Sequence, residues 1–190
     1  MSPAQSRIEA SGTLSCSRFG TMPDGYESNY LLSARWDELL SPSIMPPNLQ
    51  LTPYRGEWWL METTARKLIK VSNRHLVALG IWGFQVRGLA YHDAEAKRVD
   101  VSPGEAVALV REPSNKYDKN AIAAVVDGAT VGYVNKQMAG RLSKVLDAGA
   151  PLVAISVVGT AAGMAPHRIQ VLAAEPALID YLITGEWTAG

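Results

Sequence analysis

Arg111-Glu-Pro-Ser-Asn-Lys-Tyr-Asp-Lys-Asn-Ala-Ile122, with the run that follows it, decides how the chain is read. Glu105 to Arg111 alternates well enough for a strand. Pro113 ends that strand, because its ring fixes φ and it has no backbone donor. Asn115 to Asp118 carries turn residues whose side chains can bond their own backbone. Asn120 to Val126 reads as a second strand, Asp127-Gly128 as a tight hairpin turn, and Thr130 to Val134 as the return strand. The three strands bracket one loop, and that loop carries Tyr117 and Asp118.

Outward from this block the pattern continues. Lys136 to Ala148 is an amphipathic helix, with Met138, Leu142, Val145 and Leu146 at helical spacing and Gly149 as its stop. Pro151 to Val158 and His167 to Leu172 read as further strands, Gln85 to Leu89 as an earlier one, and Asp100 to Gly104 as a turn. Five to six short strands with one or two helices suit a small, partly closed barrel, because closure removes exposed edges. Residues 76–175 form that unit. Residues 176–190 are its C-terminal helix and tail, with Pro176 to Ile183 packed back on the body.

The N-terminal part reads differently. Residues 1–53 are expected to form an irregular arm with a short helix over 31–40, which Ser41 to Pro47 breaks. Residues 54–75 are a basic, Trp-containing extension: Arg55, Arg66, Lys67, Lys70 and Arg74 face only Glu57 and Glu62, a surplus of three positive charges. Leu76 to Val86 is rich in β-formers, so one or two strands are expected, with a bend near Gly80 or Gly83.

The totals bound the function. The 190 residues are 47% hydrophobic, enough for one sizeable core and a modest appendage. Eighteen basic residues balance eighteen acidic ones, so any contact with a polyanion must be local. No apolar run approaches the roughly 20 residues of a membrane span. Nothing at the N-terminus resembles a signal peptide, and the lone Cys16 fits a reducing, cytoplasmic setting.

The order of features resembles a HIRAN domain. The matching pieces are Val86-Arg-Gly-Leu-Ala-Tyr91, Pro103-Gly-Glu105, Leu109 to Ile122, Val131-Gly-Tyr-Val134, and the helix carrying Ala139 and Leu142. The resemblance covers a little under half of the chain. It implies a fold that is mainly β with α: a small OB/SH3-like β-barrel of five to six strands with one or two helices, here with an N-terminal extension. HIRAN domains occur attached to helicase-like and nuclease proteins and also alone. In a translocase-type member the barrel captures the 3′ end of single-stranded DNA. The resemblance therefore implies a non-catalytic module for single-stranded DNA or DNA 3′ ends, without a cofactor, and partnered by a separately encoded helicase or nuclease in repair or a related process.

Carried over position by position, the resemblance assigns nucleic-acid contacts to Tyr91, His92, Tyr117, Asp118, Tyr133 and Lys136. Tyr117 would stack on a base and Asp118 accept a hydrogen bond, or the two would simply belong to a turn. His92 would touch phosphate or be an ordinary loop histidine. Tyr133 would stack, donate a hydrogen bond, or lie half-buried on the sheet. Lys136, at the start of the helix, is the phosphate candidate. Gly88, Pro113, Asn115, Asn120 and Gly132 are read as structural, Asn120 by tying the loop to a neighbouring strand through its amide. Three positions depart from the translocase-type pattern: Ala90 replaces an arginine, His92 a tyrosine, and no aromatic stands near Gly163.

Chemistry finds little support. His75, His92 and His167 are scattered and cannot join Cys16 in a zinc-ligand spacing. Neither a Walker loop nor a Gly-x-Ser-x-Gly elbow is present. The alternatives kept open are a protein-interaction module that has lost nucleic-acid binding and a metal-dependent nuclease accessory, in which Asp93 and Asp118 would hold the ion.

Overall fold

The computed structural model describes residues 29–187. The residues N-terminal to these, most of the expected arm, lie outside the described residues. Among the described residues, nine strands form three three-stranded antiparallel sheets: β1 (Leu49–Tyr54), β2 (Glu57–Glu62) and β3 (Lys67–Ile69); β4 (Trp82–Gln85), β9 (Gln170–Ala174) and β8 (Val153–Val158); and β5 (Ala108–Arg111), β6 (Ile122–Val126) and β7 (Ala129–Tyr133). Four α-helices accompany them: α1 (Trp36–Leu39), α2 (Asp93–Arg98), α3 (Lys136–Asp147) and α4 (Pro176–Thr184).

The β4–β9–β8 sheet is buried on both faces, and this explains its near-continuous apolar sequence. Trp82, Phe84, Val171, Ala173 and Ala154 face a core shared with β6, β7 and α3. Leu172, Ala174, Ile155 and Val157 face a second core built from β1–β3, the 3-10 turn Arg74–Leu79 and α4. The N-terminal layer is therefore a sheet packed on the outer face of the body. At the contact, Gly83 lies so close to Val71 that a Cβ would fall 1.9 Å from the Val71 carbonyl oxygen.

Several expectations need revision. Residues 31–40 hold a 3-10 turn, Ser33–Arg35, and the single turn of α1 rather than one helix. Strand β1 begins inside the stretch read as an irregular arm. Leu76 to Leu79 are a 3-10 turn, and Gly80, at φ +75°, supplies the bend before β4.

The barrel expectation is also corrected. Six short strands with α2 and α3 are present over 82–174, but no closed barrel forms. The two sheets there meet at two short seams, Arg87 with Tyr133 and Ala106 with Ile155, the second carried by backbone hydrogen bonds from Gly104, Ser156 and Val107. The first seam is short because Gly88, at φ +77°, turns the chain into the 3-10 turn Leu89–Tyr91, so only Arg87 reaches β7. No helix of the described residues is long and apolar enough to cross a membrane.

Candidate nucleic-acid interface

The site is built on the β5–β6 connection and the β4–β7 seam. Asn115 Oδ1 accepts from the amides of Tyr117 and Asp118 at 3.0 and 3.3 Å, and Asp118 Oδ1 accepts from the amide of Asn120 at 2.8 Å. These consecutive side-chain turns hold the loop without burying it. Tyr117 consequently stands 82% exposed on an ordered support, with the Lys116 ammonium 4.8 Å from its ring centroid. An exposed ring held in this way offers an open face for stacking.

Arg111 clamps the same loop from below. Its Nε and one Nη donate to Asp147 at 2.9 and 3.2 Å, and its guanidinium also donates to the carbonyls of Ala121 at 2.7 Å and Lys119 at 3.3 Å. The loop is thereby tied to the C-terminal end of α3. Asp147, near that end, opposes the helix dipole and needs the arginine beside it.

The seam supplies the second half. Arg87 and Tyr133 exchange both backbone hydrogen bonds, at 2.8 and 2.9 Å. Such a pair places both side chains on one face of the sheet. Gly132, at φ +146°, permits this approach: a Cβ there would lie 2.5 Å from the Arg87 carbonyl oxygen and from Val86 Cγ1. Beside them the His92 ring sits 5.8 Å from the Tyr133 ring. Tyr91, the last residue of the preceding 3-10 turn, is 91% exposed.

Glu112 joins the two halves. One oxygen accepts from Asn115 Nδ2 at 2.8 Å and the other from the Tyr133 hydroxyl at 3.4 Å. Burial first, and then the Glu112 carboxylate, hold that hydroxyl above its ordinary pKa of 10.0. His92, Tyr133, Glu112, Asn115 and Tyr117 thus form one connected surface.

Lys136 is the exposed first residue of α3, directly after the helix N-cap Asn135, whose side chain accepts from Met138. Pro113 is exposed in the loop after β5. Asn120 contributes its backbone amide, and its side chain makes no hydrogen bond among the described residues, so the expected amide tie to a strand is absent. Gly163 donates to the Lys97 carbonyl at 2.7 Å, which sets the neighbouring loop against α2 with Met164, not an aromatic, exposed beside it.

Three residues escaped the sequence reading: Arg87, Arg111 and Glu112. Arg87 was legible, since Trp82, Phe84 and Val86 alternate inward and leave residue 87 facing out. Its side chain makes no hydrogen bond or ion pair among the described residues. Arg111 and Glu112 act through long-range partners, and no local pattern announces those. Among the described residues no group of three or more His, Cys, Asp or Glu is placed to hold a metal ion.

The class these features define is a small mixed α/β module that presents exposed tyrosines and unpaired cations on an ordered loop and a sheet seam. Residues 79–172 match the family model of the HIRAN domain. This segment of the chain is a HIRAN domain. It is 40% identical over 73 residues to the helicase-like transcription factor of Mus musculus, a stretch covering 38% of this chain and 7% of the relative. Over 48 residues it is 48% identical to the Homo sapiens counterpart, covering 25% and 5%. The chain therefore spans less than a tenth of the length of these curated relatives. Among solved structures it is similar to the HIRAN domain of human HLTF, at 29% identity and a TM-score of 0.40, covering 54% of this chain and 83% of that one. It is also similar to a protein from Lactobacillus plantarum, at 26% identity and a TM-score of 0.39, covering 48% and 89%. The HLTF HIRAN domain in its DNA-bound conformation overlaps at 27% identity and a TM-score of 0.36, covering 54% and 82%.

Proposed function

We propose that the HIRAN domain of this chain binds single-stranded DNA, with a preference for free 3′ ends, and does so without catalysis. The observation that carries the reading is the pair Tyr91 and Tyr117, both almost fully exposed, and the latter fixed by the Asn115 and Asp118 turns. Base stacking on an aromatic contributes roughly 1–3 kcal/mol per base whatever the sequence. Arg87 and Lys136 supply exposed cations for phosphates, and Arg87 takes over the charge that Ala90 lacks. Asp118 keeps one carboxylate oxygen outside the turn, able to accept from a base edge or a terminal hydroxyl. That a relative's HIRAN domain has been solved in a DNA-bound conformation supports the same reading. A helicase or nuclease carried by another cytoplasmic chain is the partner this activity suits.

Fluorescence anisotropy with labelled oligonucleotides tests it. Single strands with free 3′ ends should bind more tightly than strands with 3′-phosphate or blunt duplexes. The salt dependence should be shallow, on the order of −0.7 per phosphate for the two or three phosphates that the local cations reach. Negligible binding of every oligonucleotide at low salt would refute the reading.

A further inference from the structure

On the outer face of the β4–β9–β8 sheet the polar side chains form a row. Val86 donates to the Ile169 carbonyl at 2.9 Å, continuing the β4–β9 register in which Gln85 faces Gln170. Continued by one residue, this register would set Arg87 opposite Arg168. Arg87 in turn pairs with Tyr133 across the seam. Arg168 just before β9, Arg87 just after β4 and Tyr133 in β7 therefore lie on successive chain segments, a span of about 10 Å at the usual strand spacing.

Arg168 is also the rim of a cleft. It donates to both oxygens of Glu57 at 2.8 Å. Behind that ion pair a cavity of about 450 Å³ opens between the N-terminal sheet and β8–β9, lined by Tyr30, Trp58, Trp59, Lys70 and Gln170 among others. This volume falls in the range of small-ligand sites. Its wall is aromatic and cationic: the Lys70 ammonium lies 5.6 Å from the Tyr30 ring centroid, and Trp59 packs at 6.3 Å from the same ring.

We infer that this cleft is a second subsite for the same single strand. The strand leaves the Tyr91–Tyr133–Tyr117 surface, crosses Arg87 with its phosphates, passes the Arg168–Glu57 rim, and places a base beside Tyr30 and Trp59. Arg168 already holds Glu57 in an ion pair, so Arg87 supplies the free positive charge on this path. The aromatic wall accepts any base, and Lys70 offers the next phosphate contact. The inference rests on the proposed single-strand binding, and it assigns to the N-terminal layer the job of lengthening the track.

Length dependence separates the two claims. Oligothymidines of three and eight nucleotides are titrated against the full chain by anisotropy, alongside Lys70→Glu, whose side chain is exposed and outside the HIRAN site. The eight-mer should bind at least about tenfold more tightly than the trimer, the effect of one or two added stacks. Lys70→Glu should weaken the eight-mer about fivefold or more and leave the trimer unchanged, with the circular dichroism spectrum preserved. Trp59→Phe, which keeps an aromatic in the wall, should retain most of the length effect. Equal affinity for trimer and eight-mer, or an eight-mer indifferent to Lys70→Glu, overturns the second subsite and leaves the HIRAN reading standing. Failure of both oligonucleotides to bind overturns the two together.

Discussion

Replacing Arg111 with methionine tests whether the Tyr117 loop is held by the arginine clamp. Methionine keeps most of the aliphatic stem and deletes four donated hydrogen bonds, two to Asp147 and two to the carbonyls of Ala121 and Lys119. These halves differ in worth. The Asp147 side chain is 57% exposed, so its ion pair is screened by water and contributes about 0.5–1 kcal/mol. The Arg111 side chain is only 17% exposed, and the carbonyl of Ala121 loses a charged donor in a half-buried place, at about 1.5–2 kcal/mol. Arg111→Met should therefore destabilise by about 2–3 kcal/mol, lowering Tm by roughly 5–10 °C for a chain of this size. Asp147→Asn should cost under about 1 kcal/mol, because the carbonyl bonds survive. Thermal and urea unfolding of both variants measure the two values. The reasoning is refuted if Asp147→Asn costs as much as Arg111→Met, since the clamp would then be an ion pair and not a backbone tie. It is equally refuted if Arg111→Met costs less than about 1 kcal/mol.

Other perturbations isolate single links. Tyr117→Ala and Tyr91→Ala remove exposed rings and should leave the urea midpoint nearly unchanged, while each weakens oligonucleotide binding by roughly 5- to 100-fold in anisotropy. Gly132→Ala should do the opposite, destabilising by about 2–4 kcal/mol, because the methyl group meets the Arg87 carbonyl at a φ that side chains avoid. Alkaline titration reports on Tyr133: its pKa in the folded chain lies above 10.0, so folding favours the protonated hydroxyl and this stabilisation is complete below pH 10. As pH rises through the folded-state value the contribution disappears. Tyr133→Phe should flatten the loss of stability above pH 10 in part only, since burial raises the Tyr181 hydroxyl as well.

What the sequence made legible was local. Asp127-Gly128 takes positive φ at both turn positions, and the β6–β7 hairpin follows directly. The helical spacing of Leu142 and its neighbours gives α3, and the apolar run before Gly159 gives β8. The N-terminal sheet stayed hidden for an equally local reason. Its β1–β2 turn is Arg55-Gly56, with Arg55 at φ +50°, a conformation for which asparagine or aspartate would be the expected signal. Leu76 to Leu79 look like a strand by composition, yet Asn73 caps them through the His75 amide and Gly80 stops them, so they coil. Closure of a barrel was the least legible feature. It depends on how far β4 runs toward β7, and Gly88 ends that run one residue after Arg87.

The zero net charge and the clustered cations become consistent once the layers are placed. The N-terminal sheet covers the outer face of β4–β9–β8 as far as Gly83, Leu172 and Ala174, all of which are buried. Beyond it Arg87 emerges beside Tyr133, while Arg168 is held by Glu57 of β2. Three other arginines are engaged by acidic partners: Arg111 by Asp147, Arg168 by Glu57 and Arg35 by Glu38. A chain whose charges cancel overall can therefore still hold an anionic strand, provided its free cations share one edge. Arg87, with no partner of its own among the described residues, is the cation on which that condition depends.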